Sequence, residues 1–169
     1  VGMLPAELMG LNEKKFKQFN YLINNKKFIN NLINNVEGIL QCVKKGKTNS
    51  IILNYDEDSQ SFFYWYQQLV AESLGKKSKG ILPIVSQMPK DNHSVMQFYL
   101  DGPKNNFFTF FDVFNQKSEK IDKSNLLKSH SYLKNKSINE IILAQRLAIE
   151  KIFKTKKIPF RSFFVKKKK

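Results

Sequence analysis

The sequence predicts an α/β fold, with helices flanking a mainly parallel sheet. Three features carry that expectation. Short, almost continuously apolar runs at 50–55 (SIILNY), 80–85 (GILPIV), 107–114 (FFTFFDVF) and 159–165 (PFRSFFV) have the character of strands buried on both faces. Segments of helical period lie between them, and strand–helix alternation is the mark of parallel pairing through crossovers. A composition that is 41% hydrophobic, with 15 phenylalanines in 169 residues, supplies a core for one domain of ordinary size. No internal repeat or low-complexity linker interrupts the chain, so 1–169 reads as a single α/β domain.

In order, residues 1–10 form an apolar entry with Pro5 near a helix start. Asn12 is placed to cap a helix from Glu13 that carries Phe16, Phe19, Leu22 and Ile23. A second helix over 27–43 has Phe28, Ile29, Leu32, Ile33, Val36, Ile39 and Leu40 on one face. After the first strand, 56–59 turns the chain into a helix containing 65–77 (WYQQLVAESLGKK), where Phe62, Trp65, Leu69 and Val70 recur at helical spacing and Gly75 supplies the stop. A turn at 89–92 leads to a short helix, capped by Asp91, with His93 near its start and Met96, Tyr99 and Leu100 beyond; Asp101-Gly102-Pro103 ends it. Residues 115–124 are a polar connection, 125–135 a weak helix, and 137–154 a stronger one with Ile138, Ile141, Ile142, Leu143, Leu147, Ile149 and Phe153 on a broad apolar face.

The formal net charge is +15, from 29 basic and 14 acidic residues, yet only Arg146 and Arg161 are arginines. Nucleic-acid readers lean on arginine forks, so a lysine-heavy excess spread over the surface argues against that class. Residues 151–169 carry nine basic side chains and no acid. Cys42 stands alone, which removes an internal disulfide and a cysteine metal cluster and suits a reducing compartment. No run of about 18 apolar residues occurs, so no membrane-spanning helix is expected. Val1 is no initiator methionine and no signal peptide is visible; the start reads as a cut.

Three constellations bear chemistry. Gln68 and Glu72 sit one turn apart, two turns after Trp65 for the acid, on a stripe expected at the edge of the buried face. They read either as a surface polar pair or as a carboxylate base with an amide that orients substrate hydroxyls; partial burial would raise the acid's pKa toward neutral. His93 reads as structural or as a proton relay, its ring kept neutral by the positive end of the helix it opens. The loop Gly75-Lys76-Lys77-Ser78-Lys79-Gly80 lacks P-loop spacing and reads better as a solvated helix exit than as a phosphate cradle. His130 receives no role.

These same stretches resemble the glucose-6-phosphate isomerase family. The matching blocks are VGMLPAELMGLN, WYQQLVAESLGKKSKGILPI, PKDNHSVMQFYLDGP and FFTFFDV, in the family's order and separation, over nearly the whole chain. The resemblance implies a sugar isomerase (SIS) α/β sandwich, this chain being most of its second subdomain. Glu72 matches the catalytic base that moves a proton between C1 and C2 of the sugar through a cis-enediol. His93 matches the ring-opening histidine, which in the family serves the neighbouring subunit's site, and Gln68 matches a substrate-contacting glutamine. Also implied are a sugar-phosphate substrate, no metal or organic cofactor, a homodimer, and a cytoplasmic place in glycolysis and gluconeogenesis.

The chain departs from the family where it lacks the Ser/Thr-rich phosphate loop, the GGR-[FY]-S motif and the C-terminal catalytic lysine block; the terminal KKKK has the wrong context. It therefore reads as an internal piece of the enzyme, truncated at both ends and inactive alone. Two other classes stay open at this stage: a non-catalytic sugar-phosphate-binding SIS module, and a basic nucleic-acid-binding domain, which would show steeply salt-dependent affinity.

Overall fold

The structure is a computed structural model that describes residues 3–12, 14, 18–114, 119–121 and 126–166. The chain divides into two units, 1–44 and 45–169, where the sequence drew no boundary.

The first unit is helical. α1 (Met3–Leu8), a 3-10 turn (Gln18–Leu22) and α2 (Lys26–Lys44) make it up. The Asn12 cap is present in part, since Asn12 Oδ1 accepts from Lys14 N at 2.9 Å; residues 13 and 15–17 of that expected helix lie outside the described residues. α2 has the expected amphipathic pattern, but no residue in it is buried.

The second unit carries the α/β fold. β1 (Asn49–Asn54), β2 (Leu82–Gln87), β3 (Asn106–Phe114) and β4 (Phe160–Lys166) form one sheet in the order β2-β1-β3-β4, and all three pairings are parallel. This is the layered, parallel arrangement expected from the sequence. α3 (Gln60–Leu74) crosses from β1 to β2, α4 (Asp91–Ser94) and α5 (Met96–Asp101) lie between β2 and β3, and α6 (Ile138–Thr155) precedes β4. The weak helix expected over 125–135 is a 3-10 segment, Lys128–Leu133. Residues 115–118 and 122–124 of the polar connection, 125 of the weak helix, and 167–169 of the lysine tail lie outside the described residues.

Successive residues of a strand face opposite sides, so each strand divides its apolar content between two helix layers. Ile51, Leu53 and Tyr55 of the β1 segment align with Phe108 and Phe110 against α5 and α6, where Phe153, Tyr99 and Met96 complete the main core. Phe153 meets Phe108 and Phe110 edge to face at 4.8 and 5.3 Å between ring centres. On the other side Phe63 of α3 meets Phe111 edge to face at 4.8 Å. Pro83 is tolerated because β2 is an edge strand and needs fewer ladder donors. At the amino edge, Asn49 Nδ2 donates to Asn106 Oδ1 at 2.9 Å and clamps β1 to β3.

α6 starts in a capping box. Ser137 Oγ accepts from Glu140 N at 3.2 Å, and Glu140 Oε2 accepts from Ser137 N at 2.7 Å. Its inward stripe differs from the expected one. Arg146, Glu150 and Phe153 are buried, Ile142 and Ile149 pack beside them, and Ile138 and Leu147 are about half exposed. A buried ion cluster, described below, takes the positions that an aliphatic reading gives to leucine and isoleucine. Phe153→Ala should therefore cost about 3–5 kcal/mol in urea unfolding, whereas Leu147→Ala should cost under about 1 kcal/mol. Equal costs would mean that α6 is rotated from this placement.

Candidate functional site

α3 determines where Gln68 and Glu72 stand. It buries the Phe63 face, and Gln67 Nε2 donates to Pro83 O at 2.8 Å, which ties the helix to β2. The stripe Phe62, Trp65, Leu69 then points away from the sheet, with Phe62 and Trp65 more than half exposed. Gln68 and Glu72 continue that stripe, and Gln68 Nε2 donates to Glu72 Oε1 at 2.9 Å. The expected partial burial of Glu72 is not found: both residues are exposed, because the buried face runs one position over, through Phe63 and Gln67.

Gly75 ends α3, as expected. Gly75 has φ −76°, and glycine is needed there because a Cβ would meet Ala71 O at 2.6 Å. Lys77 and Ser78, at φ 55° and 58°, turn the chain tightly, and Lys76 bridges Lys79. The glycine–lysine loop is thus an exposed hairpin-like helix exit.

His93 lies in the last turn of a four-residue helix and is exposed. Asp91 does not cap that helix; its Oδ2 accepts from Gln87 N at 2.8 Å and its Oδ1 from Ser94 Oγ at 3.1 Å, which fastens the turn to the end of β2.

Direction along the sheet separates these residues. α3 leaves the carboxyl end of β1 and runs back, with Phe63 level with Phe111 and Gln67 level with Pro83, so Glu72 lies toward the amino edge. His93 follows the carboxyl end of β2. A six-residue strand spans about 20 Å, so one chain holds Glu72 and His93 at opposite edges. The structure brings Gln68 to Glu72 and does not bring His93 to either.

The carboxyl edge holds further polar groups that the sequence did not single out. The strand order reverses between β1 and β3, the position where open α/β sheets form a crevice. There the buried Asn54 side chain accepts from Asp56 N at 3.1 Å and donates to Asp56 O at 2.8 Å and Gln87 Oε1 at 3.2 Å. Beside it, under α6, Arg146 Nε lies 3.2 Å from Asp112 Oδ2, its Nη1 donates to Glu150, and Ser162 Oγ donates to Glu150 Oε1 at 2.7 Å. The Arg146 guanidinium also stands 5.5 Å over the Phe164 ring. The Tyr55 hydroxyl is buried near this cluster without a hydrogen-bond partner, and burial pushes its phenol well above the usual range. The available signals were Asp112, the one acid in an apolar strand, and Arg146, one of two arginines, on the inward side of a helix. Among the described residues no group of three or more His, Cys, Asp or Glu could hold a metal ion, and no helix is long and apolar enough to cross a membrane.

No family model matches the chain. Among curated proteins, glucose-6-phosphate isomerase of Methanocaldococcus jannaschii is 37% identical over 116 residues, covering 65% of this chain and 29% of that protein. The protein of the same name from Caldanaerobacter subterraneus subsp. tengcongensis is 30% identical over 159 residues, covering 85% of this chain and 35% of that protein. A third, from Mycoplasmopsis pulmonis, is 31% identical over 153 residues, covering 83% and 34%. The chain spans about a third of the length of these relatives. A crystal structure of a hypothetical protein from Thermus thermophilus has the same fold, with a TM-score of 0.67 over 76% of this chain and 32% of that one, at 21% identity.

Burial raises the Asp112 carboxyl above its ordinary 3.8; the Asp56 charge adds to this and Arg146 opposes it. A carboxyl raised in the folded state holds more protons there than when unfolded, so its contribution is fully present below the ordinary value and lost as pH rises through the raised one. The stability of the wild type relative to Asp112→Asn should therefore fall as pH rises above 3.8. A difference independent of pH would remove Asp112 from the buried cluster.

Proposed function

We propose that the chain is part of a sugar-phosphate isomerase, an enzyme that moves a proton between adjacent carbons of an aldose and a ketose. The particular enzyme is glucose-6-phosphate isomerase, cytoplasmic, acting in glycolysis and gluconeogenesis on glucose 6-phosphate and fructose 6-phosphate. The observation that carries this reading is the Gln68–Glu72 pair on an exposed helix stripe, in a chain similar to relatives of that name.

In this mechanism Glu72 acts as the base. It takes the proton from C2 of the open-chain aldose, which leaves a cis-enediolate charged on O1; the O2 hydroxyl proton passes to O1, and Glu72 returns its proton to C1 as the ketose carbonyl forms at C2. Gln68, bonded to one carboxylate oxygen, holds the acid in place and presents its own amide oxygen to a substrate hydroxyl. His93 passes a proton to the ring oxygen when the sugar opens. No metal is assigned to any step. Triosephosphate isomerase also pairs a carboxylate base with a histidine, an analogy of residue types alone.

Two features of the geometry support a site built from more than one surface. Glu72 is exposed in this chain, and the apolar stripe Phe62, Trp65, Leu69 beside it is what a second surface would cover. Covering it would take the carboxylate out of water and make it a stronger base. His93, at the opposite edge of the sheet, would reach such a site only from another copy, which fits a homodimer.

In the whole enzyme, Glu72→Gln should lower turnover by about 10²–10⁴-fold with little change in KM. Unchanged turnover would remove Glu72 as the base, and a whole protein that shows no turnover to lose would leave a non-catalytic sugar-phosphate-binding module as the reading. Mixing inactive Glu72→Gln subunits with inactive His93→Gln subunits should restore part of the activity, because one of the two sites in a mixed dimer then has both groups intact. No recovery after demonstrated subunit exchange would place both residues in one copy's site.

A further inference from the structure

On the α5–α6 side of the sheet, at its amino edge, lies a cavity of about 380 Å³. Four lysines line it, Lys47, Lys104, Lys156 and Lys157, against a single carboxylate, Asp101. The apolar part of the wall includes Phe108 and Ile158. Its size falls within the range of small-molecule pockets.

The lysines are held from behind. Lys47 Nζ donates to Lys104 O at 2.7 Å, and Lys104 Nζ donates to Leu100 O at 2.6 Å. A carbonyl takes one of three ammonium donors and cancels no charge, so each group keeps two donors for a ligand. Lys156 pairs with Asp101 at 2.9 Å. Lys157 stands at φ 54°, in the turn that closes α6, where Ile158 N donates to Phe153 O at 2.9 Å. Glycine is the usual residue at such a position, and a side chain there is strained.

Lysines also gather at helix carboxyl ends simply to offset the dipole, and α5 and α6 both end here. The charges do not balance on that account. Two helix ends contribute together about one negative charge at most, and Asp101 a second, against four ammonium groups. About two positive charges remain in a concave site, where low-dielectric walls concentrate their field.

We propose that this cavity binds a small phosphorylated molecule that carries at least two negative charges, its phosphoryl oxygens meeting Lys47, Lys104 and Lys157 and its organic part lying on the apolar wall. The site is independent of the isomerase reading, since none of these residues belongs to the Glu72 stripe or the His93 turn. The test is a calorimetric titration of the full chain with inorganic pyrophosphate. Saturable one-to-one binding is expected, weakened at least about tenfold by Lys104→Gln and by Lys157→Gly, and unchanged by Lys134→Gln with Lys136→Gln at another surface. Lys157→Gly should at the same time raise the melting temperature, because it relieves the strained turn; a purely structural lysine would not couple higher stability to weaker binding. No saturable binding, or equal weakening by the control pair, would overturn the proposal.

Discussion

A parallel strand cannot be followed by its neighbour until the chain has travelled back across the sheet. That constraint organises the second unit. It sends α3 from the carboxyl end of β1 toward the amino end of β2, so a residue late in α3 and a residue just past β2 face opposite edges. Glu72 and His93 are those residues. Their separation follows from the direction of the strands, and no local rearrangement of α4 or of the Lys77–Ser78 turn would remove it. A proton-transfer site that uses both must therefore be assembled from more than one surface.

The same sheet depends on a charged contact in an otherwise aromatic layer. Arg146 is buried between Asp112 and Glu150, with Ser162 and the Phe164 ring completing its surroundings. Two carboxylates stand against one guanidinium away from water, and burial raises the Asp112 carboxyl despite the arginine beside it. Buried pairs of this kind add little net stability over aliphatic packing, yet removing one partner is severe, since the others stay buried and unpaired. The contact thus acts mainly on geometry. It admits one rotation of α6 over β3 and β4, the one that also places Phe153 between Phe108 and Phe110.

Much of this was legible in the residues. The four strands fall within two residues of their apolar runs, because parallel strands buried on both faces leave an uninterrupted signal. The long helices were equally clear from their period. What the pattern misjudged was which face turns inward. On α3, Phe62, Trp65 and Leu69 gave a plausible buried stripe, but Phe63 is the residue that meets Phe111. On α6, Leu147 looked like core but is half exposed, and Arg146 takes a buried position. A hydrophobic count cannot see an aromatic partner on a distant strand or a carboxylate that makes an arginine tolerable inside. The helix at His93 ends at Asp101 as expected but divides in two at Val95, and the Asp91 carboxylate accepts from Gln87 N at the end of β2 in place of capping the first half. Gln68 and Glu72 were paired correctly from spacing alone, since that contact is local.

β4 has a strand neighbour on one side only among the described residues. Its outer rim offers a row of backbone donors and acceptors, flanked by the partly exposed Phe163, Phe164 and Val165. Such a rim is a template for another extended segment, and two copies joined rim to rim would close as a pair. Handling of the isolated polypeptide at high concentration would then be governed by this open seam, and a peptide that adds one more strand there would act as a solubilising cap.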